Sequence, residues 1–166
     1  MFLGWFTQET GGTQVDGNTV FKEVASTTYY AHWEEATVFS VIVPAVLPVT
    51  VDQNGKVYVS NAEIVNHSTA AVQVSSVTLT AENGWTLVPY ASDMSHAKVD
   101  SNQIGFKINS AQTSKTGSTE QLVLTSPWQI NEEESLTLTY DAVVSALSQP
   151  VTNANILSVL FVVEWA

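Results

Sequence analysis

The sequence reads as an all-β protein: an antiparallel β-sandwich, Ig-like or jelly-roll-like, with an N-terminal β-hairpin ahead of it. Three observations point there. Val, Thr, Ile, Tyr, Phe and Trp dominate, and their branched or aromatic side chains suit a pleated, half-buried surface. Turn-forming residues recur at short spacing. Apolar and polar residues alternate at period two in several runs, whereas the 3.6-residue period of a helix is hard to find.

The elements follow in chain order. An aromatic strand, "FLGWF", opens the chain and leads into a polar turn around Gly11 and Gly12. A boundary near Glu34 and Glu35 separates this hairpin, residues 1–35, from a sandwich domain, residues 36–166. The sandwich takes about nine strands, at 38–43, 47–51, 56–65, 71–81, 85–90, 103–108, 119–125, 136–146 and 156–165. The pair Asn54-Gly55 marks a hairpin turn, because both residues tolerate positive φ. In "VQVSSVTLTA" the apolar parity slips between Val74 and Val77, which predicts a β-bulge at Ser75–Ser76. In "SLTLTYDAVVSAL", Leu136, Leu138, Tyr140, Ala142 and Val144 share one face, so one side of that strand meets a core. "ILSVLFVVEW" is apolar on both parities and reads as a central strand covered on both faces. The stretches 109–119 and 148–155 read as polar loops.

Composition narrows the function classes. With 45% hydrophobic and 13% charged residues, the chain can bury a sizeable core. Sixteen acidic residues face five basic ones, all Lys, and the net charge of −11 repels phosphate backbones and anionic membrane surfaces. Nucleic acid is therefore excluded as an expected partner. No run reaches a membrane-spanning length, since Pro44 and Pro48 break "TVFSVIVPAVLPVTV". The absence of Cys rules out disulfides, thiolate metal sites and a Cys nucleophile, and it fits an exported bacterial protein. "MFLGWF" is too short for a signal peptide and lacks its basic flank, so the chain is expected to be a piece of something longer or to have lost its export signal.

The opening segment, "FLGWFTQETGGTQVDGNTVFKEVASTTYYAHW", resembles the second half of the Listeria–Bacteroides repeat, the internalin-type B repeat. The positions that carry the resemblance are Phe2, Gly4, Trp5, Phe6, Gly11, Gly12, Thr13, Val20, Thr28, Tyr30, Ala31 and Trp33. That family is a small β-grasp unit of bacterial surface proteins, so the resemblance implies a partial β-grasp repeat and a surface location. The chain lacks the family's first strand and helix, and the two remaining strands are expected to pair as a hairpin. The larger domain is similar to β-sandwich modules that end surface proteins of Gram-positive gut bacteria. Its segment "IVNHSTAAVQV" also resembles the strand-Asn-x-Ser-turn-strand element of camelysin-like fibre proteins, where Asn66 and Ser68 cap a turn. "WTL" at 85–87 spells the motif of WxL cell-wall-binding domains, but a second copy near the C-terminus is missing and the match reads as chance.

Chemistry-bearing patterns are sparse. His32, His67 and His96 lack metal-ligand spacing, and locally bonded side chains are expected. Nucleophile elbows and phosphate-cradling loops are missing from the sequence. Glu132, Glu133 and Glu134 read as a solvated turn. Lys107 with Asn61 or Asp141 offers a conceivable isopeptide, although strand alternation points Lys107 outward. The expectation is a protein that is not an enzyme, with no catalytic residue, no metal and no cofactor. Trp85, after the "ENG" turn, and Trp128, after Pro127, are the tentative platform for stacking on sugar rings, with burial in the sandwich core the favoured alternative. Three readings stay open: a structural or adhesion module at the cell surface or secreted, binding a host or cell-wall glycan or protein; a carbohydrate-binding module with exposed Trp; and a camelysin-like self-assembling fibre subunit.

Overall fold

The computed structural model describes residues 1–20, 26–51, 57–151 and 154–166, which divide into two compact units, Met1–Val38 and Phe39–Ala166. The smaller unit is a three-stranded antiparallel sheet of β1 (Phe2–Phe6), β2 (Gln14–Val15) and β3 (Tyr30–Trp33), with β1 in the middle. Phe2 pairs with Trp33 and Phe6 with Tyr30, and a register shift between Phe2 and Gly4 interrupts the ladder. Gly4 holds φ +134°, and a Cβ there would lie 2.6 Å from the Gln14 amide nitrogen, which itself donates to the Leu3 carbonyl.

The larger unit contains β4 (Val41–Ile42), β5 (Val49–Val51), β6 (Val57–Val59), β7 (Ala62–Asn66) and β8 (Val72–Ala81). Then come β9 (Thr86–Leu87), β10 (Gln103–Ile108), β11 (Ala111–Gln112), β12 (Thr119–Gln121) and β13 (Trp128–Ile130). It ends with β14 (Ser135–Leu138), β15 (Tyr140–Val144) and β16 (Leu157–Trp165). Among the described residues the helical content is one 3₁₀ turn, Met94–His96. Small sheets result, none of them closed: β14-β7-β4, β5-β6, a sheet around β10, and a sheet around β8. All pairings are antiparallel except the short parallel contact of β9 with β10.

The core is one cluster to which these sheets contribute, with Ile64, Val72, Leu79, Leu87, Phe106 and Ile108 essentially inaccessible to water. Its longest strand is β8, flanked by β12 and β13 on one edge and by β16 on the other. Opposite β16 the register runs from Ser76 straight to Val74, leaving Ser75 as the extra residue of a β-bulge. That bulge is the parity slip in the sequence, and it turns Val72 and Val74 inward along with Val77 and Leu79.

Three expectations about strands need correction. The continuous strand over 136–146 is two strands: β14 joins β7 and β15 joins β10, with Thr139 between them. The switch is held by Asn109, whose side-chain oxygen accepts from the Thr139 backbone N–H and hydroxyl. The stretch 109–119 is no polar loop throughout, because β11 lies in it and Thr113 is buried, its hydroxyl donating to the Val88 carbonyl. Finally, β16 is no central strand: among the described residues it pairs with β8 alone. The Asn54–Gly55 turn lies outside the described residues; the strands on either side of it pair Val51 with Val57.

Candidate functional site

The two Trp residues of the tentative platform lie in different settings. Trp128 sits on β13 opposite Val74, is 9% exposed, and keeps its indole nitrogen buried without a hydrogen-bond partner. Trp85 is half-buried against the core after a turn whose left-handed residues are Asn83 and Gly84. The physical reason is the pairing of the short β13 with β8, which draws its inward parity into the core; Pro127 marks the entry to a strand rather than an exposed loop.

A cluster of exposed aromatic rings lies in the smaller unit. Trp5 is 52% and Trp33 70% exposed, and the Phe2 ring lies 4.9 Å from Trp33 and 6.0 Å from Trp5. Ala31 stands opposite Trp5 and Tyr30 opposite Phe6. Phe6 in turn stacks on His32 at 4.0 Å, nearly parallel. Gly11 and Gly12 form the turn after β1 with positive φ, closed by the Thr7 N–H donating to the Thr13 carbonyl.

A second unusual surface is β16. Its outward residues include Leu160, 62% exposed, and Val162, 43% exposed, beside the polar outer row Thr80, Thr78, Ser76 and Gln73 of β8. Glu164 is its one charged residue. At its end Trp165 meets Phe39 edge-on at 5.1 Å.

The polar groups mostly serve architecture. Asn66, fully buried, donates to the carbonyls of Ala70, Ile130 and Asn131, and its oxygen accepts from the Ser68 N–H. Glu120, 6% exposed, turns into the core side of β12 and accepts from the Ser114 N–H and hydroxyl and from the Lys115 N–H. These donors offset the cost of burying a carboxylate. The Tyr90 hydroxyl donates to Asp141 at 2.7 Å, which raises the phenol above its ordinary value, with burial adding to the effect. Asp100 accepts from the Ser148 hydroxyl and N–H, which hold its carboxyl below the usual range.

The remaining candidates stay apart. His67 meets Glu133 at 3.2 Å and His96 meets Asp93 at 3.5 Å, both near the surface. Among the described residues no three His, Asp or Glu side chains converge on a metal position. Glu132, Glu133 and Glu134 are exposed in the turn between β13 and β14. Lys107 stands opposite Asp141 with its ammonium 5.9 Å from the Tyr90 ring, and Asp141 is too exposed for the buried setting of an isopeptide. No family model, curated protein or solved structure matches this chain.

Proposed function

We propose that this chain is a non-enzymatic structural or adhesion module, secreted or displayed on a bacterial surface, built as a β-sandwich with a repeat-derived aromatic unit of three strands. One observation carries the reading: among the described residues β16 is an edge strand paired with β8 alone, with Leu160 and Val162 exposed on its outer face. Strand edges and exposed apolar faces are the parts of an all-β protein that engage other proteins. The resemblance of residues 2–33 to a surface repeat supports the location.

Adhesion is tested with beads coated in the whole chain and washed over mucin-, matrix- and cell-wall-coated plates. Retention above that of beads carrying an unrelated sandwich domain is expected; equal retention on every surface sinks the adhesive role. A second reading, carbohydrate binding, is favoured by the Phe2, Trp5 and Trp33 cluster, because exposed rings stack on sugar faces. It requires a saturable Trp emission shift with a glycan that Trp33→Ala abolishes.

A further inference from the structure

We infer that β16 is the interface of a two-fold dimer of this chain, each copy adding its β16 antiparallel to the other's, centred on Phe161. The backbone directions support it. The Ile156 carbonyl accepts from Glu82, the Val162 carbonyl accepts from the Ser75 hydroxyl, and the Ala166 N–H donates to Ala71. The even-numbered residues thus face β8. Because the direction alternates along an antiparallel ladder, Leu157, Val159, Phe161, Val163 and Trp165 turn their N–H and C=O groups to the opposite edge. Among the described residues no strand pairs with that edge.

Protected edges carry Pro, Lys or a bulge, and β16 has none of these; the bulge belongs to β8. The strand's own sequence suits a second copy. Centred on Phe161, the register sets Phe161 against its counterpart, Val159 against Val163, and Leu157 against Trp165, so all five residues whose backbone groups face the free edge meet edge-facing residues of the second copy. A slip by one residue breaks every such match, and a slip by two loses the terminal pairs. On the solvent face the same register lays Leu160 against the second copy's Val162 and covers the two most exposed aliphatic side chains of the strand. Glu164 falls opposite Ser158, so the two Glu164 carboxylates stand about 20 Å apart. A strand so poor in charge offers nothing for a cationic partner to read, although each copy bears a net −11. Such a contact uses the same patch on both copies and closes at two, joining two sheets into one continuous sheet without propagating a filament.

This inference shares with the proposed function only the assumption that strand edges are the working surface, and bead retention without dimerisation overturns the inference alone. The first measurement is light scattering with size exclusion on the whole chain up to about 1 mM. A concentration-dependent dimer is expected; a monomer throughout, or a species larger than two, overturns the proposal. The double substitution Leu160→Lys with Val162→Lys changes only exposed side chains. It should give a monomer with an unfolding midpoint close to that of the parent, and a surviving dimer excludes this edge. The chain has no Cys, so Leu160→Cys and Val162→Cys can report the register cleanly. Mixed together under mild oxidation they should cross-link severalfold faster than either alone, since directly opposed non-hydrogen-bonded residues have Cα atoms about 4.5 Å apart. No preference for the mixture overturns the Phe161-centred register. Added salt should strengthen the dimer by screening the repulsion between two acidic copies, and weakening would point to a charge-driven contact elsewhere.

Discussion

Strands β8 and β16 lie side by side over nine residue pairs, yet they follow opposite rules. The more polar of the two is the one the fold buries. β8 sends Val72, Val74, Val77 and Leu79 inward with no exposure, turns Gln73, Thr78 and Thr80 outward, and has neighbours on both edges. β16 is rich in apolar residues on both parities but has one neighbour among the described residues and leaves Leu160 and Val162 in water. Hydropathy therefore records how much surface a strand can bury, and the chain in isolation does not bury all that β16 offers. The contrast separates a residue's chemistry from its environment.

The largest effect that would sharpen this contrast comes from truncation on β8. Leu79→Ala should cost about 2–5 kcal/mol, because the side chain is fully enclosed and its removal leaves a cavity. Urea unfolding measures it, and a cost below 1 kcal/mol would mean that the core around β8 relaxes freely. Next is Asn66→Ala, which strips donors from the Ile130 and Asn131 carbonyls at the end of β13, the neighbour of β8. The same assay should show a loss of about 1–3 kcal/mol, as expected when buried polar groups lose their partners.

A pair away from both strands supplies a control. Tyr90→Phe removes the donation to Asp141 and should cost about 0.5–1.5 kcal/mol near neutral pH. Since the phenol is raised in the fold, its contribution is present below the ordinary value near 10 and disappears as pH climbs through the raised one. The alkaline limb of the stability curve should flatten in the variant. Asp100 has the opposite sign: its carboxyl is lowered, so its contribution holds above about 3.8 and fades as pH falls, and Ser148→Ala should flatten the acid limb. The smallest effect belongs to β16. In dilute solution Leu160→Ala should change stability by no more than about 0.5 kcal/mol, and a loss equal to that of Leu79→Ala would abolish the distinction between the two strands.

How much of this was legible depended on whether the cause was local. The bulge was, because Ser75 displaces the apolar parity within β8 itself. The all-β character was legible for the same reason, since branched and aromatic residues act through their own backbone. The division of β14 from β15 was hidden: parity runs unbroken through Thr139, and the agent is Asn109, 30 residues away in sequence. The strand around Trp128 was hidden because three residues carry too little pattern to register as one, although the ring itself read as core material before it read as a platform. The openness of β16 was hidden because an apolar run marks a demand for cover and does not say where the cover comes from. The exposed ring cluster combined both cases, with Trp5 and Trp33 evident in the sequence and their water-facing state visible only in the pairing of β1 with β3.

The contact of Phe39 with Trp165 has a mechanical consequence. Phe39 is the first residue of the larger unit and Trp165 lies on its last strand, so the ring contact brings these two segments of the unit to one corner. Tension applied between Phe39 and Trp165 would peel β16 from β8 rung by rung, loading each hydrogen bond of the ladder in turn.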